Sequence, residues 1–293
     1  MTSFRPHLPV PLNDLSQFYP SVQEVQVLRL DLLHPVISGN KWFKLRFYLE
    51  DAKKRNAAEL VTWGGPWSNH IVATAAACAS EGIPCTGLIR GEEPLKWSAT
   101  LQLAADYGMK LRFLPRADYD LEKLPADLDD ESIYQVPAGG YGINGALGAS
   151  GILDQMNSPF THLLCAVGTG TMLAGLINRC FKQHHITGIS ALSGHPELEA
   201  RVSNLLTTTD VNWHILREFS FGGYAKYSPQ LIDFMNEFYR KTHIPSDFVY
   251  TGKLFYAMEA LLAAGHFPDH ARLLLIHSGG LQGNQSLEGR LVY

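Results

Sequence analysis

The stretch Cys165-Ala166-Val167-Gly168-Thr169-Gly170-Thr171-Met172-Leu173-Ala174-Gly175 decides the fold. It reads as a strand, a Gly/Thr turn and a helix start. Successive glycines let backbone N–H groups converge, and the helix N-terminus adds a partial positive charge. Together they make a cradle suited to one phosphate. A Walker A loop is excluded, because no Gly-Lys-Ser/Thr follows. A dinucleotide fingerprint fits badly: the spacing is G-x-G-x-x-x-x-G, and the next strand ends at Ser193-Gly194, where an acidic ribose ligand is expected. A single-phosphate cradle needs only this loop and hydroxyls such as Thr169 and Thr171. A plain tight turn is the alternative.

Outward from the loop, short β-branched runs alternate with longer helical stretches. On the N-terminal side the pattern predicts strands at 25–31, 60–63, 86–89, 110–114 and 132–136. Helices are predicted at 40–54, 68–80 and 98–107, and the Gly-rich 138–151 leads through a turn into another. The acidic 118–131 reads as a surface connection. On the C-terminal side strands are predicted at 163–167, 186–192, 213–216 and 273–277, with helices at 171–181, 196–206, 228–242 and 252–264. Such alternation requires crossover connections and mainly parallel sheets. The expected fold class is α/β, with two open twisted sheets flanked by helices and a cleft between two domains. Residues 1–45 and 155–293 are expected to form the larger domain and 46–154 the smaller.

The bulk numbers fit an ordinary globular chain of 293 residues, with 46% hydrophobic and 18% charged residues. The net charge of -4 gives no reason to expect nucleic acid or an anionic membrane as partner. The four cysteines, Cys78, Cys85, Cys165 and Cys180, form no C-x-x-C pair, so zinc and thioredoxin-like readings fail and buried reduced thiols are expected. The opening MTSFRPHLPVPL has no apolar core of a signal peptide, and no apolar run reaches spanning length. A cytoplasmic protein is expected.

Two further turns carry chemistry. In Ser38-Gly39-Asn40-Lys41-Trp42-Phe43-Lys44-Leu45, Lys41 and Lys44 share a helix face with Tyr48. A solvated face is the plain reading. An imine-forming lysine needs a place beside a pocket and a lowered pKa, and a helix N-terminus after a Gly turn offers both. Lys41 is nearer that end. In Trp63-Gly64-Gly65-Pro66-Trp67-Ser68-Asn69-His70, Ser68 is a natural N-cap, and Asn69 and His70 follow in the first helical turn. Three polar side chains on such a turn suit a substrate anchor.

Taken together and in order, these pieces resemble the 1-aminocyclopropane-1-carboxylate (ACC) deaminase / D-cysteine desulfhydrase family, within the tryptophan-synthase-β-like, fold type II pyridoxal phosphate enzymes. The likeness runs through Gly39-Asn40-Lys41-x-x-Lys44-Leu45, Gly64-Gly65-x-x-Ser68-Asn69-His70 and Pro137-Ala138-Gly139-Gly140. It continues with the Gly168–Thr171 loop, Tyr250-Thr251-Gly252-Lys253 and His277-Ser278-Gly279-Gly280. The resemblance implies pyridoxal 5'-phosphate as cofactor, a small amino-acid substrate and a homodimer. It makes Lys41 the lysine that joins the cofactor as a Schiff base and then carries a proton. Asn69 is implied at the cofactor's ring oxygen. Val167, Gly168, Thr169, Gly170 and Thr171 match the phosphate loop. Ser68 and His70 are implied to hold the substrate carboxylate, with Asn69 beside them and Ser68 available for proton transfer. Tyr250, and less directly Tyr224, are similar to phenols that face the substrate.

Two positions bear on the reaction. The family's ACC deaminases carry Glu where this chain has Thr251, and an apolar residue where it has Ser278. A carboxylate at the pyridine nitrogen keeps the ring protonated and strongly electron-withdrawing, whereas a hydroxyl only hydrogen-bonds a neutral ring. Opening a cyclopropane needs the stronger sink, and expelling a good leaving group from the β-carbon does not. The expected function is α,β-elimination to a 2-oxo acid and ammonia, as in the desulfhydrase branch. ACC deamination is the alternative, and a non-catalytic binding protein a further one. Departures from the family pattern are Ser38 before Gly-Asn-Lys and the bulky Pro66-Trp67 pair, which is expected to reshape the pocket.

Overall fold

The computed structural model describes residues 9–287 and 289–293. Two sheets organise them. The six-stranded sheet has the order β1-β2-β10-β7-β8-β9, formed by Leu12–Asp14, Glu24–Arg29, Arg272–His277, His162–Val167, His185–Ser190 and Asn212–Leu216. Every pairing in it is parallel except β1 with β2. The four-stranded sheet has the order β5-β4-β3-β6 and is parallel throughout, from Lys110–Leu114, Cys85–Arg90, Glu59–Gly64 and Ile133–Val136.

The central strands read as continuous apolar runs for a physical reason. In β7 and β10 every residue after the first is buried, because helices cover both faces of a parallel sheet. One core cluster lies under each face of the larger sheet, and a third, built on Leu45, Leu49, Ile71 and Ile89, serves the smaller.

The helices are α1 (Asn40–Lys54), α2 (Asn69–Glu81), α3 (Ala99–Asp106), α4 (Arg116–Asp120), α5 (Ile143–Ser150), α6 (Thr171–Arg179), α7 (Leu198–Ser203), α8 (Pro229–Thr242) and α9 (Thr251–Ala263). Their bounds follow the sequence expectation closely: α1 starts and ends where its pattern does. Small residues set how closely helices approach. A Cβ on Gly175 of α6 would lie 2.4 Å from the Ala146 carbonyl of α5, so only glycine allows that contact.

Three expectations are corrected. The acidic 118–131 connection contains the end of the short α4 and a 3-10 turn at Ala126–Leu128. The 196–206 helix is confined to α7. Strand β1 was not expected, since Leu12-Asn13-Asp14 carries two poor strand formers; it survives as an antiparallel edge. The four cysteines are free and buried. Among the described residues no helix is long and apolar enough to cross a membrane.

Candidate active site

Four strands end at the same place. Val167 runs into the Gly168–Gly170 turn, Gly64 into the Ser68 turn, Val136 into Pro137–Gly140, and His277 into Ser278–Gly280. The carboxyl ends of parallel strands are where α/β sheets bind ligands. The turns enclose a cavity lined by Lys41, Lys44, Ser68, Asn69, His70 and Tyr250, together with the Gly168–Gly170 backbone, Tyr224 and Ser278.

Lys41 sits at the start of α1. Gly39 before it adopts φ 66°, ψ -142° and packs so closely on Ser278 that a Cβ would lie 1.8 Å from the Ser278 carbonyl. This backbone is open only to glycine. Lys41 Nζ donates to Asn40 Oδ1 at 2.9 Å. Burial lowers its pKa to about 8, against an upward pull from the Asp247 carboxylate.

Lys44, which the sequence places on the same face as Lys41 but further from the helix start, was given no role of its own there. It is buried, and among the described residues its Nζ has one hydrogen-bond partner, the Gly139 carbonyl at 3.3 Å. Burial, then the Lys41 charge, drive its pKa well below the ordinary lysine value. Ser68 caps α2, and its Oγ accepts from the amides of His70 and Ile71 at 3.2 and 3.4 Å. His70 is buried against Thr62, with Nε2 2.9 Å from the Thr62 hydroxyl.

The phosphate-loop residues Val167, Gly168, Thr169 and Gly170 line the cavity, and Gly170 (φ 87°) precedes α6. Tyr250 lies against Gly168, whose added Cβ would be 3.2 Å from the ring. Tyr224 stands half-exposed beside Tyr250, with ring centroids 6.3 Å apart.

Three expected placements differ. Thr171 is fully buried behind the wall, where its hydroxyl meets that of Thr169 at 2.9 Å. Thr251 is also off the wall. Its hydroxyl donates to Asp247 Oδ1 at 2.7 Å and accepts from the Asp247 amide at 2.7 Å, so its proton is already placed. Trp67 is 42% exposed and lines a neighbouring cleft rather than this cavity.

Asp247 and Lys253 were also missed. Asp247 is fully buried and accepts from the amides of Val249, Tyr250 and Thr251. Burial raises its pKa while those bonds lower it. Lys253 Nζ donates to the Ser220 and Gly223 carbonyls, both at 2.8 Å, and so ties down the loop that carries Tyr224. Its burial lowers its pKa to about 8. For Asp247 the sequence signal was a charge set among apolar neighbours; Lys253 stood in the Tyr250–Lys253 motif without a role.

The residues present fit pyridoxal phosphate. Asn69 lines the cavity, and among the described residues its Oδ1 is buried without a hydrogen-bond partner, so the side chain is not committed through its oxygen. Among the described residues the buried Lys44 amine has no ion-pair partner, and it lines the same cavity as the Gly168–Gly170 turn, so a charge on it stands alone. Such a charge is stable only when an anion joins it.

Comparison with known proteins agrees. The sequence profile described as "Pyridoxal-phosphate dependent enzyme" matches residues 4–279. A Pyrococcus horikoshii protein named "Putative 1-aminocyclopropane-1-carboxylate deaminase" is 27% identical over 94% of this chain and 91% of its own. A crystal structure described as an ACC deaminase homologue superposes with TM-score 0.84 at 25% identity, covering 98% of this chain and 96% of that one. O-ureido-L-serine synthase shares the fold, with TM-score 0.69 at 15% identity over 94% and 90% of the two chains. These findings bear out the family resemblance, the α/β fold class and the cofactor read from the sequence. The chain belongs to the family of pyridoxal-phosphate dependent enzymes.

Proposed function

We propose that the protein is a lyase that expels a leaving group from the β-carbon of a small amino acid and releases a 2-oxo acid and ammonia, as D-cysteine desulfhydrases do. The observation that carries this reading is the make-up of the wall: among the described residues, no carboxylate lines the cavity.

Bound pyridoxal phosphate supplies a sink for the electrons of the substrate's α-C–H bond. The chain does the rest. The Gly168–Gly170 turn and the α6 N-terminus would hold its phosphate, with Lys44 on the same wall to take up the countercharge. With the Thr251 proton held by Asp247, Ser278 would be the hydroxyl left to face the ring nitrogen, the role that the family resemblance implies for Thr251. A hydroxyl there would leave the ring neutral, and a weaker sink suits elimination of a good leaving group rather than opening of a cyclopropane.

Lys41, with its pKa near 8, is neutral in about a tenth of molecules at pH 7 and accepts the α-proton. Ser68 receives two amide protons on its oxygen, so its own proton is free for the substrate carboxylate. Burial raises the Tyr250 pKa well above the usual phenol value, so it remains a hydrogen-bond donor.

A second reading is ACC deamination. The relatives' names favour it, and so does the Asp247 carboxylate directly behind Thr251. Assays of ammonia and sulfide from D-cysteine, and of ammonia from D-serine, L-serine and ACC, separate the two. Turnover of D-cysteine with none of ACC is expected. Turnover of ACC alone overturns the elimination reading.

A further inference from the structure

His70 has half of its hydrogen bonds made. Thr62 lies in the middle of β3, fully buried, and donates its hydroxyl proton to the Val136 carbonyl of β6 at 2.7 Å. A hydroxyl has one proton to give. At its 2.9 Å contact with His70 Nε2, the Thr62 oxygen therefore accepts, and Nε2 carries the hydrogen. The other ring nitrogen, Nδ1, is buried and has no hydrogen-bond partner among the described residues.

The ring around that nitrogen stays neutral. Burial acts first, then the charges of Lys41 and Lys44, and together they hold the imidazole pKa well below its ordinary value. Nδ1 is thus a bare lone pair on a residue that lines the cavity. A lone pair calls for a donor. A carboxylate offers only acceptors, so His70 is a poor partner for the substrate carboxylate, and Ser68 is left to hold it.

We propose that Thr62 is a positioning residue that fixes His70 as the Nε2–H tautomer, so that His70 Nδ1 accepts a hydrogen bond from a thiol or hydroxyl on the substrate's β-carbon. The substrate class rests on the elimination reading above; the tautomer does not. The device selects substrates by a donor on the leaving group. A site built to pair a substrate OH or SH discriminates against an analogue that lacks it.

The test uses the holoenzyme carrying 15N-labelled histidine, with the His70 signals identified by their loss in His70→Asn. A pyrrole-like Nε2 and a pyridine-like Nδ1 are expected at neutral pH. Thr62→Val removes the acceptor and should shift the proton towards Nδ1, whereas Thr62→Ser should retain the wild-type pattern. In parallel, kcat/KM is measured for D-cysteine and for β-chloro-D-alanine, whose leaving group has no proton to donate. Thr62→Val should cost D-cysteine about tenfold or more and β-chloro-D-alanine less than about twofold.

An imidazolium or an Nδ1–H ring in the wild type overturns the proposal. So does an unchanged spectrum in Thr62→Val, or an equal loss on both substrates. If neither substrate is turned over, the elimination reading and the donor-selection claim fall together, while the spectra still decide the Thr62–His70 tautomer. If Thr62→Val does not fold, the wild-type and Thr62→Ser spectra decide that point.

Discussion

The carboxylate of Asp247 and the side chain of Thr251 close a reciprocal pair. Asp247 Oδ1 accepts from both the amide and the hydroxyl of Thr251, at 2.8 and 2.7 Å, while the Thr251 oxygen accepts from the Asp247 amide. The pair caps α9 and sets Tyr250 on the cavity wall. Asp247→Asn puts an NH2 in place of either Oδ2, which accepts from the Val249 and Tyr250 amides, or Oδ1, which accepts from the Thr251 amide and hydroxyl. Each buried amide left without an acceptor costs about 1–3 kcal/mol. The melting temperature of the variant should fall by several degrees, measured by scanning calorimetry with cofactor in excess.

Lys253 supports the opposite wall. Its ammonium binds the Ser220 and Gly223 carbonyls from within the core. Lys253→Met keeps the bulk and removes the three donors. Amide exchange across 220–224 should accelerate, and KM should rise more than kcat falls, because Tyr224 loses its fixed position. Unchanged exchange in that loop would remove Lys253 from the account.

Gly39 controls where Lys41 stands. Its φ is 66°, and an added Cβ would overlap the Ser278 carbonyl at 1.8 Å. Neither the strand end nor the helix start can yield cheaply. Gly39→Ala should destabilise the protein by about 2–4 kcal/mol and weaken cofactor retention on gel filtration. A variant with wild-type stability and full cofactor content would contradict the close approach.

Acid should weaken the fold through histidines, ahead of its carboxylates. Burial, then the charge of His185, lowers the His162 pKa to about 4, and His184 and His214 are lowered as well. Their folded pKa values lie below the unfolded value near 6.5. The folded state therefore binds fewer protons. Stability is fully present above about pH 6.5 and declines as pH falls towards 4. Melting temperature measured from pH 7.5 to 4 should drop through that window, and His162→Gln should flatten the drop.

Much of the site was legible because its features are backbone features. The Gly168–Gly170 turn, the Ser68 cap and the Gly39 turn each declare a local geometry through residues that few other positions need. The core strands were legible from their unbroken apolar runs. What stayed hidden was which polar side chains turn inward. Lys44, Lys253 and Asp247 look like surface charges in a sequence; packing of distant segments supplies the carbonyls that hold the two lysines, while Asp247 is held by the amides two to four residues further on. Thr171 and Thr251 show the reverse. Their motifs placed them at the cofactor, yet one hydroxyl meets Thr169 and the other Asp247. Neighbours in sequence do not fix which partner a buried hydroxyl takes.

The central claim is that Lys41 holds the cofactor, and borohydride tests it most directly. Reduction of the holoenzyme fixes an imine-bound pyridoxal phosphate to its lysine as a stable secondary amine, and peptide mass spectrometry then locates it. The account predicts the modification on Lys41, with none on Lys44, and its loss in Lys41→Ala. Modification on Lys44, or on another lysine with Lys41 unmodified, would contradict it.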